Sequence, residues 1–304
     1  MPRGYCVLEV SDIGVSTGAY MALPLTAALL RIAELAPFAE ICSWGRHSLT
    51  DPENARAVAE VGLPFTVHGP MVHDGVGGTF WGRHRAVRDM HRRHMTAAAE
   101  LGARLYVVHP DSHVRQRLNN PAAAAAFGHA LEELRTLQQQ TGVHVVVENL
   151  PFSWLSRYTN PTDMDLEGLG FALDVGHAAI EGLLRLWLTV PQTELHHMHL
   201  HDNHGHNSGD EHLALGDGVI DVGPALATAR AAGASIVLEH KREADVLASL
   251  EHLRARGLVA SEVVLEAVIQ AADRAAREAA GRATGASREA GPTAAFLEEL
   301  GERG

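Results

Sequence analysis

A chain of 304 residues with 46% hydrophobic and 20% charged residues has the composition of an ordinary globular protein, which excludes wholesale disorder. No apolar run approaches the roughly 20 residues that a membrane span needs, and the N-terminus lacks a signal-peptide pattern, so we expect a cytoplasmic protein. The formal net charge of −12 makes a nucleic-acid partner unlikely, although a basic groove can coexist with an acidic body.

Short β-branched apolar runs alternate with helical patterns along most of the chain. The predicted strands are 6–11, 38–44, 65–70, 104–110, 144–150, 171–177, 195–202 and 235–241, and the predicted helices include 24–36, 86–101, 121–140 and 243–256. Strands separated by helices imply parallel βαβ units, so the sequence predicts an α/β protein, a (β/α)8 TIM barrel over residues 1–257. The rival is an open doubly wound sheet, but Ser11-Asp12-Ile13-Gly14-Val15 is a poor match to its phosphate-binding turn.

The pattern changes after about residue 257. Residues 261–280 are rich in Ala, Glu and Arg with helical spacing, and residues 281–292 have the composition of a flexible linker. We therefore predict a helical, partly flexible C-terminal extension over residues 258–304. The extension either packs on the barrel or on a partner, or it is solvated.

Cysteine and histidine usage indicate different roles. The two cysteines, Cys6 and Cys42, lie in apolar segments without Cys-x-x-Cys spacing, so we interpret them as buried thiols and exclude a disulfide framework. Twenty histidines are an unusually large number. Because histidine is the commonest metal ligand and acid/base side chain, their positions decide what they imply.

Metal-ligand residue types end six successive predicted strands. Strands three to eight close on His68, His109, Glu148, Asp174 with His177, His199, and Glu239, and the loop after strand seven adds Asp210 and His212. In a β/α barrel, catalytic groups come from the C-terminal ends of different strands, so these side chains should meet at one mouth. A single one of them is more often a hydrogen-bonded structural group, but the whole set favours a site.

Three carboxylates at one mouth indicate a cation. Glu148, Asp174 and Glu239 would lie a few ångströms apart in a partly dry site, which is costly unless a cation neutralises them. Imidazole and carboxylate ligands together suit Zn²⁺ or Mn²⁺, and the absence of thiolates argues against a structural zinc site. We therefore predict that the chain binds divalent metal ions.

These strand ends resemble the xylose-isomerase-like TIM barrel superfamily, which includes sugar phosphate isomerases and epimerases and the endonuclease IV type of AP endonuclease. The resemblance covers roughly residues 5–257. The isomerase and epimerase branch implies one metal on Glu148, Asp174, His199 and Glu239, with Glu148 and Glu239 as catalytic acid and base. The endonuclease IV branch implies three zinc ions held by nine ligands: His68, His109, Glu148, Asp174, His177, His199, Asp210, His212 and Glu239.

Two reactions compete for this site. The nine-ligand set favours multinuclear-zinc phosphoester hydrolysis, but only 22 positions separate His177 from His199, where endonuclease IV carries a longer excursion that helps to grip DNA. Glu148 is followed by Asn-Leu-Pro-Phe-Ser-Trp rather than the Pro-x-Asn-Arg-x-Glu of ketose 3-epimerases. We predict isomerisation or epimerisation of a small sugar or sugar phosphate, with the hydrolase as the alternative; a dehydratase or lyase would use the same chemistry.

Four further side chains are predicted to contact the substrate. Lys241 follows Glu239 closely, and its cation would hold a phosphate or carboxylate unless it is simply solvated. Trp81 tips a Gly-rich loop and Trp154 follows strand five, where each would either wall the pocket or pack. His201 would contact substrate or orient a metal ligand. The expected partner is a small molecule, and a homo-oligomer is compatible with the sequence.

Overall fold

The computed structural model describes residues 13–73, 76–77, 85–110, 121–151, 159–163, 166, 168–189 and 194–259. The chain divides into two units, Met1–Ala260 and Ser261–Gly304, and the second unit lies outside the described residues. The predicted C-terminal extension and the burial of Cys6 therefore stay predictions. None of the described helices combines the length and the apolar surface that a bilayer span requires.

Within the described residues, eight parallel strands close into a barrel in which sequential strands are neighbours. The strands are β1 (Ile13–Ser16), β2 (Ala39–Cys42), β3 (Phe65–His68), β4 (Leu105–Val108), β5 (His144–Glu148), β6 (Gly170–Asp174), β7 (Leu195–Leu200) and β8 (Ser235–Leu238). The barrel closes where β1 pairs with both β2 and β8. This confirms the predicted (β/α)8 barrel, and predicted strands two to eight overlap β2 to β8.

The position of the first barrel strand was predicted wrongly. The segment 6–11 lies outside the described residues, and β1 instead runs from Ile13 to Ser16. Its second residue, Gly14, lies against the ring of Phe38, where an added Cβ would come within 2.4 Å of a ring carbon. Glycine is uncommon inside strands, so the sequence of Ile13–Ser16 indicates a strand less strongly than the longer apolar run at residues 6–11 does.

Helices connect the strands along the chain. They are α1 (Leu25–Ala33), α2 (Pro52–Val61), α3 (Arg85–Glu100), α4 (Pro121–Thr141), α5 (Val175–Ile180), α6 (Leu184–Trp187), α7 (Val222–Ala232) and α8 (Glu243–Ala255). Local sequence sets the ends of α2: the Asp51 carboxylate accepts a hydrogen bond from the backbone N–H of Glu53, and Gly62 ends the helix at a φ of 67°. A short two-stranded sheet, Val72–His73 with Val76–Gly77, lies apart from the barrel sheet.

One irregularity in the barrel sheet bears on the site. Between β6 and β7, Phe171 pairs with Leu195 but Ala172 pairs with His197, so β7 contains one extra residue at this point. Beyond the shift, Asp174 lies level with His199. The two residues are therefore neighbours across the ends of adjacent strands.

Candidate metal centre

Imidazoles from several strands converge on Glu148, the last residue of β5. Its Oε2 lies 3.0 Å from His109 Nε2 and 3.4 Å from His68 Nε2. Its Oε1 lies 3.2 Å from His177 Nδ1 and 3.5 Å from His199 Nδ1. The Glu148 side chain is only 1% exposed. One buried carboxylate thus gathers residues that are far apart in the sequence, as the strand ends predict.

Asp174 and Glu239 complete the surroundings of His199. Nδ1 of His199 lies 3.3 Å from Glu239 Oε2 and 3.9 Å from Asp174 Oδ2. Asp174 also caps α5, because its Oδ1 accepts a hydrogen bond from the backbone N–H of His177 at 2.6 Å. The structure therefore brings Glu148, Asp174, His199 and Glu239 together at one position; we call this group, with the imidazoles around it, the cup.

His177, Asp210 and His212 form a second group at the edge of the cup. Asp210 Oδ1 lies 3.1 Å from His212 Nε2 and 3.6 Å from His177 Nε2. His212 has a φ of 55°, a left-handed conformation that is uncommon outside glycine, and its Nδ1 donates a hydrogen bond to the backbone oxygen of Glu239 at 2.9 Å. Such conformations recur at functional sites, and the hydrogen bond from Nδ1 leaves Nε2 of His212 facing Asp210.

The carboxylates of the cup are held in their ionised form. Burial alone would raise the pKa of Glu148, but the imidazoles of His109 and His199 outweigh burial and hold that pKa well below the usual range. Burial likewise opposes ionisation of Asp174, yet His177 and His201 together outweigh it and lower the pKa to about 2. Both acids are therefore anionic at neutral pH.

The imidazoles that face these anions differ in their pKa: burial lowers that of His109, whereas the pKa values of His199 and His212 are raised. Burial alone would lower the pKa of His199, but the carboxylates of Glu40 and Glu239 raise it well above its ordinary value. Burial alone would also lower the pKa of His212, but the hydrogen bond to Asp210 and the charge of Glu239 together outweigh it and raise the pKa to about 9. A divalent cation in the cup would replace these protons, so metal affinity should rise with pH.

The donor atoms fit a divalent cation. Oε2 of Glu148, Nδ1 of His199 and Oδ1 of Asp210 are buried and have no well-aligned hydrogen bond among the described residues, which is costly unless another group satisfies them. Ligand atoms of His177, Asp210 and His212 all lie within 4.8 Å of one another. Nitrogen and oxygen donors without a thiolate suit Zn²⁺ or Mn²⁺, as the sequence predicts.

A cavity of about 230 Å³ opens onto the cup. Glu148, His177, Asp210, His212 and Glu239 line it together with Gly18, Met21, Cys42, Trp44, Met71, His109, His240 and Lys241. Polar ligand groups thus face apolar side chains across a space below the roughly 300–1,000 Å³ of sites for drug-sized ligands. The lining suits a compact molecule with both hydroxyl groups and C–H surface.

Of the four residues predicted to contact the substrate, the structure describes Lys241 and His201. Lys241 lines the cavity, where its exposed ammonium donates a hydrogen bond to the backbone oxygen of Asp210 at 2.7 Å. His201 is fully buried, and its Nε2 lies 3.2 Å from both oxygens of Asp174, which suits orientation of that carboxylate better than substrate contact. Trp81 and Trp154 lie outside the described residues.

The sequence patterns do not predict that β2 contributes residues to the site. Glu40 in β2 is fully buried and reaches His199, and Trp44 just after β2 lines the cavity with its ring 5.3 Å from that of His68. Cys42 lies between Glu40 and Trp44 in the sequence. It is buried as predicted, and burial raises the pKa of its thiol. A charged residue inside the otherwise apolar strand Ala39–Cys42 is the signal that would have found Glu40.

Comparisons with known proteins agree with this architecture. Residues 45–256 match the model of a family described as Xylose isomerase-like TIM barrel. A D-tagatose 3-epimerase-like protein is 25% identical with a TM-score of 0.68, covering 86% of this chain and 99% of its own. The fold is shared with 3-keto-D-glucoside 4-epimerase YcjR from E. coli, at 21% identity, TM-score 0.61, and coverage of 81% and 99%. It is also shared with the TTHB071 protein from Thermus thermophilus soaked with ZnCl2, at 24% identity, TM-score 0.55, and coverage of 80% and 97%.

Proposed function

Because the chain belongs to the xylose isomerase-like TIM barrel family, we propose that it is a divalent-metal-dependent isomerase or epimerase of a small sugar or sugar phosphate. Its structural neighbours include sugar epimerases. The observation that carries the proposal is the pair Glu148 and Glu239, which approach the same nitrogen of His199 and both line the cavity. Two carboxylates facing one small cavity are suited to moving a proton between neighbouring carbons.

Four side chains would hold the metal ion, namely Glu148, Asp174, His199 and Glu239. When bound, Zn²⁺ or Mn²⁺ would polarise the carbonyl and hydroxyl oxygens of a sugar. Further ions, if the cup takes more than one, would draw on His68, His109, His177, Asp210 and His212. The resident metal would have nitrogen and oxygen ligands throughout.

Side chains that line the cavity would transfer the proton and bind the substrate. One of Glu148 and Glu239 removes the proton from the carbon beside the carbonyl, and the other returns a proton. In epimerisation the proton returns to the same carbon from the opposite face, and in isomerisation it goes to the former carbonyl carbon. Trp44 and Met21 give an apolar surface for the C–H face of the sugar. Lys241 supplies a cation at the cavity for a phosphate or carboxylate of the substrate.

Phosphoester hydrolysis is the second candidate, and the group of His177, Asp210 and His212 favours it. A one-metal isomerase does not strictly need these three ligands. Clustered metal ions instead suit hydrolysis, because together they activate water and bind phosphoryl oxygens. Metal content measured on the purified chain separates the two: one ion per chain supports the isomerase, and three support the hydrolase.

Proton transfer can be detected without knowing the substrate. The chain loaded with Zn²⁺ or Mn²⁺ is incubated in ²H₂O with free and phosphorylated aldoses and ketoses, and deuterium beside the carbonyl is measured by NMR. We expect deuterium to enter at least one sugar while a second isomer forms. Hydrolysis of bis(p-nitrophenyl) phosphate with no deuterium uptake by any sugar would favour the alternative.

The substitution Glu148→Gln tests the catalytic assignment. It keeps the shape of the side chain but removes the base and a metal ligand, so we expect kcat to fall by at least about 100-fold. The variant should still unfold cooperatively, but at a lower temperature, because the imidazoles around position 148 lose the buried charge that they face. The matched control is Glu133→Gln, which removes a carboxylate paired with Arg88 and Arg92 on the helices, and it should leave kcat unchanged. Full activity in Glu148→Gln would show that the site lies elsewhere.

A further inference from the structure

The side chain of Glu40 contacts His199 of the cup across the interior of the barrel. It lies in β2, whereas its partners His197 and His199 lie in β7, and β1 and β8 separate these two strands in the sheet. Glu40 Oε2 lies 2.8 Å from His197 Nε2, and Glu40 Oε1 lies 3.1 Å from His199 Nε2. All three side chains are fully buried. The contact is therefore shielded from water on every side.

This contact decides which nitrogen of His199 can bind a cation. A carboxylate only accepts hydrogen bonds, so the hydrogen bond to Glu40 requires the proton on Nε2 of His199. The lone pair of the neutral ring is then on Nδ1, the atom that lies 3.5 Å from Glu148 Oε1 and 3.3 Å from Glu239 Oε2. Metal-binding imidazoles generally need such a partner on their second nitrogen.

His197 fixes Glu40 in turn. Its Nε2 donates to Glu40 Oε2, and its Nδ1 lies 2.6 Å from Ser235 Oγ at the start of β8. Ser235, His197, Glu40 and His199 thus form one continuous hydrogen-bonded chain. Packing alone does not require it, because β/α barrel interiors are usually filled by branched apolar side chains, and a buried carboxylate is costly unless its partners compensate.

We propose that Glu40 is a positioning residue, which with His197 behind it holds Nε2–H of His199 and thereby aims Nδ1 at a metal ion in the cup. The proposal rests on the metal dependence of the proposed function. It adds Glu40 and His197, which lie outside the predicted ligand set. In the hydrogen-bonded series, Ser235 and His197 restrain Glu40, and Glu40 restrains the ligand His199.

The experiment measures the zinc affinity of the full chain by competition with a chromophoric chelator. Glutamine at position 40 carries no negative charge and has an NH2 group, which only donates, in place of one carboxylate oxygen. It therefore holds the Nε2–H groups of His197 and His199 more weakly than glutamate does. We expect Glu40→Gln to weaken zinc binding by about 10- to 100-fold while thermal unfolding of the metal-free chain stays cooperative. Glu133→Gln, the same change at a surface ion pair, should bind zinc like the wild type.

Unchanged zinc affinity in Glu40→Gln, beside a wild type that binds zinc, would overturn the positioning role and leave the proposed function standing. A wild type that binds neither zinc nor manganese would overturn both. A second measurement needs no change at Glu40: in the zinc-loaded wild type, ¹⁵N NMR of labelled histidine should show the proton on Nε2 of His199 and the zinc-induced shift on Nδ1. Signals lost in His199→Gln give the assignment, and zinc on Nε2 would overturn the proposal.

Discussion

Asp202, fully buried just beyond β7, shows how one side chain can organise a segment of the cup. Its two oxygens accept hydrogen bonds from four backbone N–H groups, those of Asn203, Gly216, Gly218 and Ile220. Its backbone also pairs with Leu213, the neighbour of the strained His212. The carboxylate therefore holds both ends of the loop that presents His212 to the cavity.

We expect Asp202→Asn to lower the free energy of unfolding by about 3 kcal/mol, because the new amide group would turn a donor towards backbone N–H groups and remove the charge that they bind. Urea unfolding followed by circular dichroism measures the change. The control is Asp217→Asn, an exposed position in the same loop, which should alter stability by less than about 0.5 kcal/mol. Equal effects at the two positions would contradict the special role of Asp202.

At the scale of elements, glycine has opposite roles in two helical contexts. Gly62 ends α2 at a φ of 67°, whereas Gly128 lies inside α4 without such a conformation, and an added Cβ at either position would meet nothing within 4 Å. Contacts therefore cannot distinguish the two substitutions. Only the backbone conformation does.

We expect Gly62→Ala to destabilise the protein by about 1 kcal/mol, because an L-residue resists the left-handed conformation. Gly128→Ala should stabilise it by about 0.5–1 kcal/mol, because alanine favours the helix interior. Thermal unfolding of the two variants beside the wild type measures both. Shifts of the same sign would contradict this account of where α2 ends.

At the scale of the whole molecule, the histidines divide into two electrostatic classes. In the first class, neighbouring carboxylates outweigh burial and raise the pKa, as for His199 and His212. In the second class, burial dominates and lowers the pKa; this class includes His109 of the cup, and burial together with Arg93 lowers the pKa of His94 to about 4. The second class opposes stability in acid, because the unfolded chain binds protons that the folded chain excludes.

The pKa of His94 is about 4 in the folded chain and 6.5 in the unfolded one, so its neutral form favours folding above pH 6.5, and that contribution is lost as pH falls towards 4. The loss is about 1.4 kcal/mol for each pH unit. We expect His94→Gln to reduce the fall in unfolding free energy between pH 7.5 and 5 by about 2 kcal/mol. The exposed His129, replaced in His129→Gln, is the control, and identical pH profiles for His94→Gln and the wild type would contradict the assignment.

The sequence predicted the barrel and the residues that meet at its mouth, because strand ends are marked by residue types that stand out from apolar runs. Glu148, Asp174 and Glu239 each follow such a run. It did not predict Glu40, whose role depends on a strand that is not its neighbour in the sheet. Contacts across a barrel interior follow from tilt and stagger of the strands, which residue patterns within one strand do not encode.

The shift in pairing between β6 and β7 has a consequence for how this protein can change over time. If the pairing of Phe171 with Leu195 continued without the shift, Asp174 would lie opposite Met198 rather than His199. The alignment of two ligands thus depends on how many residues separate them from the shift, not on which residues those are. Substitutions in this part of β7 leave that spacing intact, whereas loss or gain of a single codon between the shift and His199 would place a different residue of β7 opposite Asp174.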